Sequence, residues 1–321
     1  MTRRRLVQSV AGVAASYALR VQAGSSSTIG LGLGNYGLKT YPTTEAIRFI
    51  ASVGYDSVEL TMMDGYTTEA SRVPPQERRN LRTLLGELGL ALPSLLEQIP
   101  ILGSAADHQT HLERIKRDAQ FGHDVNAGVG GVRPCVQTHL GGRSADWEKQ
   151  KALVVDRLGN WASTGREMET VVAFKGHNLN LNDTAEKTLW LIQQVNSPWL
   201  RVLYDYSHYQ AVDESLTRTM ELLLPHTAMI SIKDCRKYQD KPGFERLLPG
   251  DGTIDYTDYY SRLVKFGYAG HTVVEISGQI SSSPGYDAAA SARRCYSNVA
   301  LKMAAAGVRR PQSTNRARKS V

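Results

Sequence analysis

Several short apolar runs in this 321-residue chain end in side chains that could do chemistry on a small polar molecule. Lys175-Gly176-His177 follows VVAF, Asp205 and His208 follow RVLY as D-x-x-H, Lys233-Asp234 follows ISI, and Glu275 follows TVV. Earlier runs lead to Glu59, Glu97 and His139. A carboxylate at such a place can remove a proton beside a carbonyl, an ammonium can polarise the oxygen that gains charge, and an imidazole can shuttle the proton. The plainer reading of Asp205 and His208, an Asp that caps the next helix beside a loop histidine, stays open at this level.

For these residues to meet, their runs must be neighbouring strands. Eight β-like stretches are legible, at 28–33, 57–61, 91–96, 131–137, 170–175, 200–205, 228–233 and 272–276. Helix-like segments alternate with them. TTEAIRFIASVG places Ala46, Ile47, Ile50 and Val53 on one face before Gly54, and PPQERRNLRTLLGELG does the same with Leu81, Leu84, Leu85 and Leu88 before Gly89. Further helices are expected at about 107–122, 144–169, 184–195, 214–224, after Asp255 and at 287–306. Strict alternation implies a parallel sheet with helical crossovers, and eight units in one stretch without a linker predict an α/β fold, a single (β/α)8 TIM barrel over residues 24–307. Such barrels carry their sites at the C-terminal ends of the strands, where all these polar residues fall.

One motif points elsewhere. Gly32, Gly34 and Gly37, with Glu59 further on, match the dinucleotide fingerprint. Leu38 to Pro42 separate the last glycine from any helical pattern, so no helix N-terminus would meet a pyrophosphate, and the glycines are read as a flexible first barrel loop. His108 and His111 share a helix face but belong to a polar, exposed helix. Tyr204, Tyr206 and Tyr209 could line a stacking wall for a ligand, although alternation sends at least one into the core.

The ends of the chain differ from its body. Residues 1–23 combine Arg3, Arg4 and Arg5, a short apolar stretch and Val21-Gln22-Ala23, the pattern of a twin-arginine export signal, and predict an exported, periplasmic protein. Residues 308–321 read as a basic disordered tail. The nine cations of these two segments exceed the formal charge of +7, which leaves the body at −2 and gives no footprint for nucleic acid. No membrane partner beyond export is expected. Cys135, Cys235 and Cys295 are too scattered for a disulfide framework or a zinc module, and Cys235 is read as structural.

D-x-x-H at Asp205 and His208, K-D at Lys233-Asp234, P-G-D-G-x-I-D from Pro249 to Asp255 and V-V-E ending at Glu275 occur in that order at barrel spacing. With them the chain resembles the xylose-isomerase-like barrel family of sugar and sugar-phosphate isomerases and epimerases, relatives of the type IV apurinic endonucleases. The resemblance implies a small-molecule carbohydrate as partner and a divalent metal (manganese, magnesium or zinc) held by four side chains at the ends of strands five to eight. Asp205 and Glu275 match two of these metal positions. The other two carry Lys175 and Ser231, so a metal cofactor is not expected here, although His177 or His208 could complete a shifted site.

The expected chemistry is therefore sugar isomerisation or epimerisation through an enediolate. Lys175 stands in place of the metal, Glu275 is the base, and His208 and His177 bind hydroxyls or shuttle a proton. Asp205, Glu59, His139, Lys233 and Asp234 are expected to bind substrate. The alternatives are a lyase or hydratase acting on an oxidised sugar, a non-catalytic sugar-binding barrel held by a structural ion-pair cluster, and, ranked lower, a Schiff-base lysine. Two adjacent carboxylates oppose the last by raising the lysine pKa.

Overall fold

The computed structural model describes residues 28–311, apart from Pro242. Short apolar runs bounded by polar turns form parallel strands β1 (Ile29–Gly34), β2 (Ser57–Thr61), β3 (Ser94–Leu96), β4 (Cys135–His139), β5 (Val172–Lys175), β6 (Leu200–Tyr204) and β7 (Thr227–Ile232). An antiparallel hairpin, β8 (Asp234–Lys237) and β9 (Phe244–Leu247), follows, and β10 (Gly270–Val274) completes the set. The barrel closes in the order β1-β10-β7-β6-β5-β4-β3-β2. Leu33 pairs with Val274 across the closure, and His139, Lys175 and Leu203 lie level across β4, β5 and β6.

The sequence signals account for most helix ends. Gly54 and Gly89 take the left-handed conformation after the helices Thr43–Val53 and Pro75–Leu88. Ser104 and Asp107 form a capping box at the start of Ala105–Val125. The apolar faces of these helices pack on the outside of the sheet, where Ile47, Leu85, Phe121, Trp161, Leu191, Leu263 and Val299 are buried. Each such side chain contributes roughly 1.5–3 kcal/mol relative to exposure. No described helix is long and apolar enough to cross a membrane.

Three expectations meet the structure differently. The hairpin β8–β9 occupies a stretch between the seventh expected strand and Pro249 for which no element was expected. The expected basic tail does not begin at residue 308: Arg309 bridges Thr28, and the Arg310 Nε donates to Asp56 Oδ2 at 2.8 Å. The first barrel loop is a 3-10 turn, Asn35–Leu38, with the first helix starting only at Thr43. The expected export leader and the chain beyond Pro311 lie outside the described residues.

Candidate active site

Strand alternation brings four charged side chains together at the C-terminal mouth. Lys175 ends β5, and the next residue must be glycine because a Cβ at Gly176 would stand 2.1 Å from Tyr209 Oη. Asp205 does two jobs. Its Oδ1 caps the short helix Tyr206–Gln210, accepting from Ser207 N at 3.2 Å and Ser207 Oγ at 2.7 Å, while Oδ2 faces two lysines. Asp205 thus caps the helix, as the plainer reading has it, and faces the two lysines with its other oxygen.

The four charges form a closed ring. Lys175 Nζ lies 2.6 Å from Glu275 Oε2 and 3.3 Å from Asp205 Oδ2; Lys233 Nζ lies 2.8 Å from Glu275 Oε1 and 3.1 Å from Asp205 Oδ2. Ser231 Oγ donates to Glu275 Oε2 at 3.3 Å. Two ammonium groups and two carboxylates balance, which is how buried charges are tolerated. An ammonium has three N–H donors, so each lysine keeps one beyond its two carboxylates.

Burial alone would lower the Lys175 pKa, but Glu275 and Asp205 outweigh it and hold it above the usual lysine range. For Lys233 burial wins, aided by the neighbouring Lys175 and Arg246 charges, and the pKa falls below the usual value. Burial would raise Glu275, yet the two lysines keep it well below the usual carboxylate range. That weakens Glu275 as the expected base, since both its oxygens accept from ammonium groups.

Above the ring lies a cavity of about 230 Å³. Lys175, Lys233, Glu275, His139, His177 and His208 line it, together with Tyr36, Glu97, Phe244 and Arg246. The three imidazoles form one wall, with ring centroids 3.9 Å apart for His177 and His208 and 5.5 Å for His139 and His177. Burial, then the lysine charges, push His139 down to about 4 and His177 to about 2, so both are neutral. Asn180 Nδ2 lies 2.9 Å from His139 Nδ1, and Leu179 N donates to His177 Nδ1 at 3.2 Å, which leaves the proton of each ring on Nε2. His208 Nε2 sits 3.5 Å from Asp205 Oδ2.

Other expected site residues face elsewhere. Asp234 does not line the cavity. Its oxygens accept from the backbone amides of Cys235, Gly250, Thr253 and Ile254, closing the P-G-D-G turn onto the hairpin. A Cβ at Gly252 would stand 2.1 Å from Asp234 Oδ1, which explains the glycine. Glu59 lies beneath the cavity, accepting from Ser94 Oγ at 2.5 Å and Gln137 Nε2 at 3.1 Å. Tyr204 and Tyr209 are in the core, so no wall of tyrosines from β6 forms; Tyr36 and Phe244 supply the aromatic surface. His108 lies 3.2 Å from Asn160 on an exposed helix surface.

The sequence reading placed Lys233 at the site as a substrate-binding residue but missed that it belongs to the ring, which parity could have shown: Ser231, an expected inward position, lies two residues earlier. Arg246, on β9, reaches Ser207 O and Oγ, Asn178 Oδ1 and His208 Nδ1, all neutral. The alternation of CRKY and FERL about Lys241-Pro242-Gly243 is the hairpin signal that would have placed it.

The residues present do not fit a divalent cation at the Asp205–Glu275 position. Ammonium groups already sit on Asp205 Oδ2 and on both Glu275 oxygens and would repel an ion. Among the described residues, no group of three or more His, Cys, Asp or Glu is placed to hold one.

A closed parallel barrel with its polar cavity at the strand C-termini defines a (β/α)8 protein with the site at its usual end. The chain belongs to the xylose isomerase-like TIM barrel family, whose model matches residues 47–297. It is 21% identical over 272 residues to an inosose dehydratase of Geobacillus kaustophilus, covering 76% of this chain and 82% of that one. A 3-keto-D-glucoside 4-epimerase from E. coli superposes with a TM-score of 0.67 at 15% identity, over 85% of this chain and 99% of the other. The IOLI protein, solved with a zinc atom, gives 0.67 at 16% identity, over 85% and 99%.

Proposed function

We propose that this protein is a carbohydrate-modifying enzyme that breaks a C–H bond next to a carbonyl, with the two-lysine ring in place of a divalent cation. The observation that carries the reading is the ring itself: two lysines held by Asp205 and Glu275 on the floor of a cavity sized for one sugar ring. A base takes the proton from the α-carbon, the C–H electron pair becomes the enolate double bond, and the carbonyl oxygen becomes an oxyanion. The free N–H of Lys175 receives that charge in a water-poor site. Lys233, in its neutral form, is the proposed proton acceptor, because it lines the same cavity and its charge is held less firmly than that of Lys175. His139 and His177 donate from Nε2 to sugar hydroxyls. Returning the proton to the opposite face or the adjacent carbon gives epimerisation or isomerisation; expelling a β-hydroxyl as water gives dehydration.

The family and the dehydratase and epimerase among the relatives support this chemistry and leave both outcomes open. Arg246 favours dehydration of an oxidised sugar. Its guanidinium is buried at the cavity and, among the described residues, has no acidic partner within ion-pair distance, so a substrate carboxylate would complete it. The test is solvent deuterium exchange in a panel of keto-sugars and their carboxylate-bearing oxidation products. Deuterium is expected at the carbon beside the carbonyl, and Lys175→Met is expected to lower the rate by about 10³-fold or more. No exchange across the panel, or an undiminished rate in Lys175→Met, would sink the proposal.

A further inference from the structure

The cavity at the barrel mouth does not stand alone. Tyr36 and Gly278, on its rim, also border a second depression of about 750 Å³, walled by Tyr41, Tyr66, Ser282 and Tyr286. The inner space, about 230 Å³, lies below the roughly 300–1,000 Å³ of pockets that enclose drug-sized ligands, so it suits a single ring. The outer space is built rather than loose. Tyr36 and Tyr66 stack with centroids 5.7 Å apart and planes at 17°, and Tyr66 Oη donates to Tyr36 O at 3.2 Å. Tyr286 Oη donates to Gly37 O at 2.9 Å, which fixes the facing wall.

Gly278 lies where the two spaces join. A Cβ there would stand 3.1 Å from Tyr36 Oη, so the missing side chain keeps the passage clear. The outer surface pairs aromatic rings with hydroxyl-bearing and charged side chains, Lys39, Ser282 and Asp287 among them. Aromatic faces accept the C–H face of a pyranose while polar neighbours meet its hydroxyls, and the two spaces share Tyr36 and Gly278 on their borders.

We propose that the outer depression is a second sugar subsite, so that the substrate is a disaccharide-sized glycoside rather than a free monosaccharide. This rests on the reading above that the inner cavity takes a sugar ring. The inner ring would meet the lysines while the outer ring lies against the half-buried rings of Tyr36, Tyr41 and Tyr286, with buried Tyr66 backing Tyr36, and its binding energy would hold the reacting carbon in register.

The experiment measures binding, by saturation-transfer NMR and titration, of glucose and galactose against maltose, cellobiose and lactose. A disaccharide is expected to bind about tenfold or more tightly than either monosaccharide. Ser282→Trp, at an exposed position, should fill the outer space and remove that advantage while leaving monosaccharide binding within about twofold. Tyr66→Leu should weaken disaccharide binding with the thermal midpoint checked alongside. Equal affinities for one and two rings, no detectable disaccharide binding, or a Ser282→Trp protein that keeps the full advantage would overturn the subsite. The outcome is separable from deuterium exchange: tight disaccharide binding without exchange retains the subsite and discards the enolate chemistry, and exchange without a two-ring preference does the reverse.

Discussion

The barrel holds buried ion pairs at both ends, and they are built on different plans. At the N-terminal end Asp56 Oδ2 accepts from Leu31 N at 2.9 Å and from Arg310 Nε at 2.8 Å, while the other guanidinium nitrogens donate to Gly54 O and Tyr296 Oη. Backbone and ring partners surround this pair, and it ties the end of the described chain to the start of β2. At the C-terminal end Lys175 and Lys233, among the described residues, pair with the carboxylates of Asp205 and Glu275 and open onto a cavity. The same chemistry of pairing thus closes one end and equips the other. An ion pair packed among backbone and ring partners holds structure, whereas a ring that opens onto a cavity with a donor left over on each cation can also meet a ligand.

Cutting each end separately gives the largest contrast. Lys175→Met leaves Asp205 and Glu275 sharing one ammonium, and Arg310→Met leaves Asp56 without its cation. Removing one partner of a buried pair costs about 3–5 kcal/mol, so urea unfolding should show losses of that order in both variants. Activity should divide them. Measured per folded molecule, exchange should fall by about 10³-fold in Lys175→Met and stay within about twofold in Arg310→Met. Equal activity losses in the two variants would mean that the C-terminal ring is as structural as its counterpart.

A pH–rate profile sharpens the comparison within the ring. A proton acceptor must be neutral to act, and the Lys233 pKa lies below the usual lysine value while that of Lys175 lies above it. The rate should therefore climb about tenfold per pH unit as pH rises toward the Lys233 pKa, with Lys175 still charged. Glu275, held well below the usual carboxylate range, would be ionised throughout and would give a flat profile from about pH 6 to 9. A flat profile returns the role of base to Glu275.

How much of this was legible in the sequence depends on the distance over which each signal acts. The barrel was, because eight apolar runs alternating with capped helices state a local pattern eight times over. Lys175, Asp205, Glu275 and the histidines were, because they follow strand ends directly. The ring was only half visible, since it takes β5, β6, β7 and β10 side by side to show that Lys233 faces Asp205 as closely as Lys175 does. Asp234 misled for a physical reason: an acid at a strand end can serve a ligand or the turn that follows, and only the placement of Gly250 to Ile254 decides for the turn. Arg246 and Phe244 were hidden because the hairpin that aims them inward was not among the expected elements.

Between the two ends lies another buried acid, and it gives the smallest expected effect. Among the described residues no cation forms an ion pair with Glu59; burial pushes its pKa up to about 7 despite hydrogen bonds from Ser94 and Gln137. A carboxyl raised in the folded state contributes stability that is fully present below its unfolded value, near 4.3, and is lost as pH rises through about 7. Glu59→Gln keeps the shape without the charge. Unfolding curves should show the variant matching wild type near pH 4 and more stable by roughly 1–3 kcal/mol at pH 8. A constant difference at every pH would place a counter-charge on Glu59 and make Lys175 its partner as well, extending the C-terminal ring one residue deeper into the barrel.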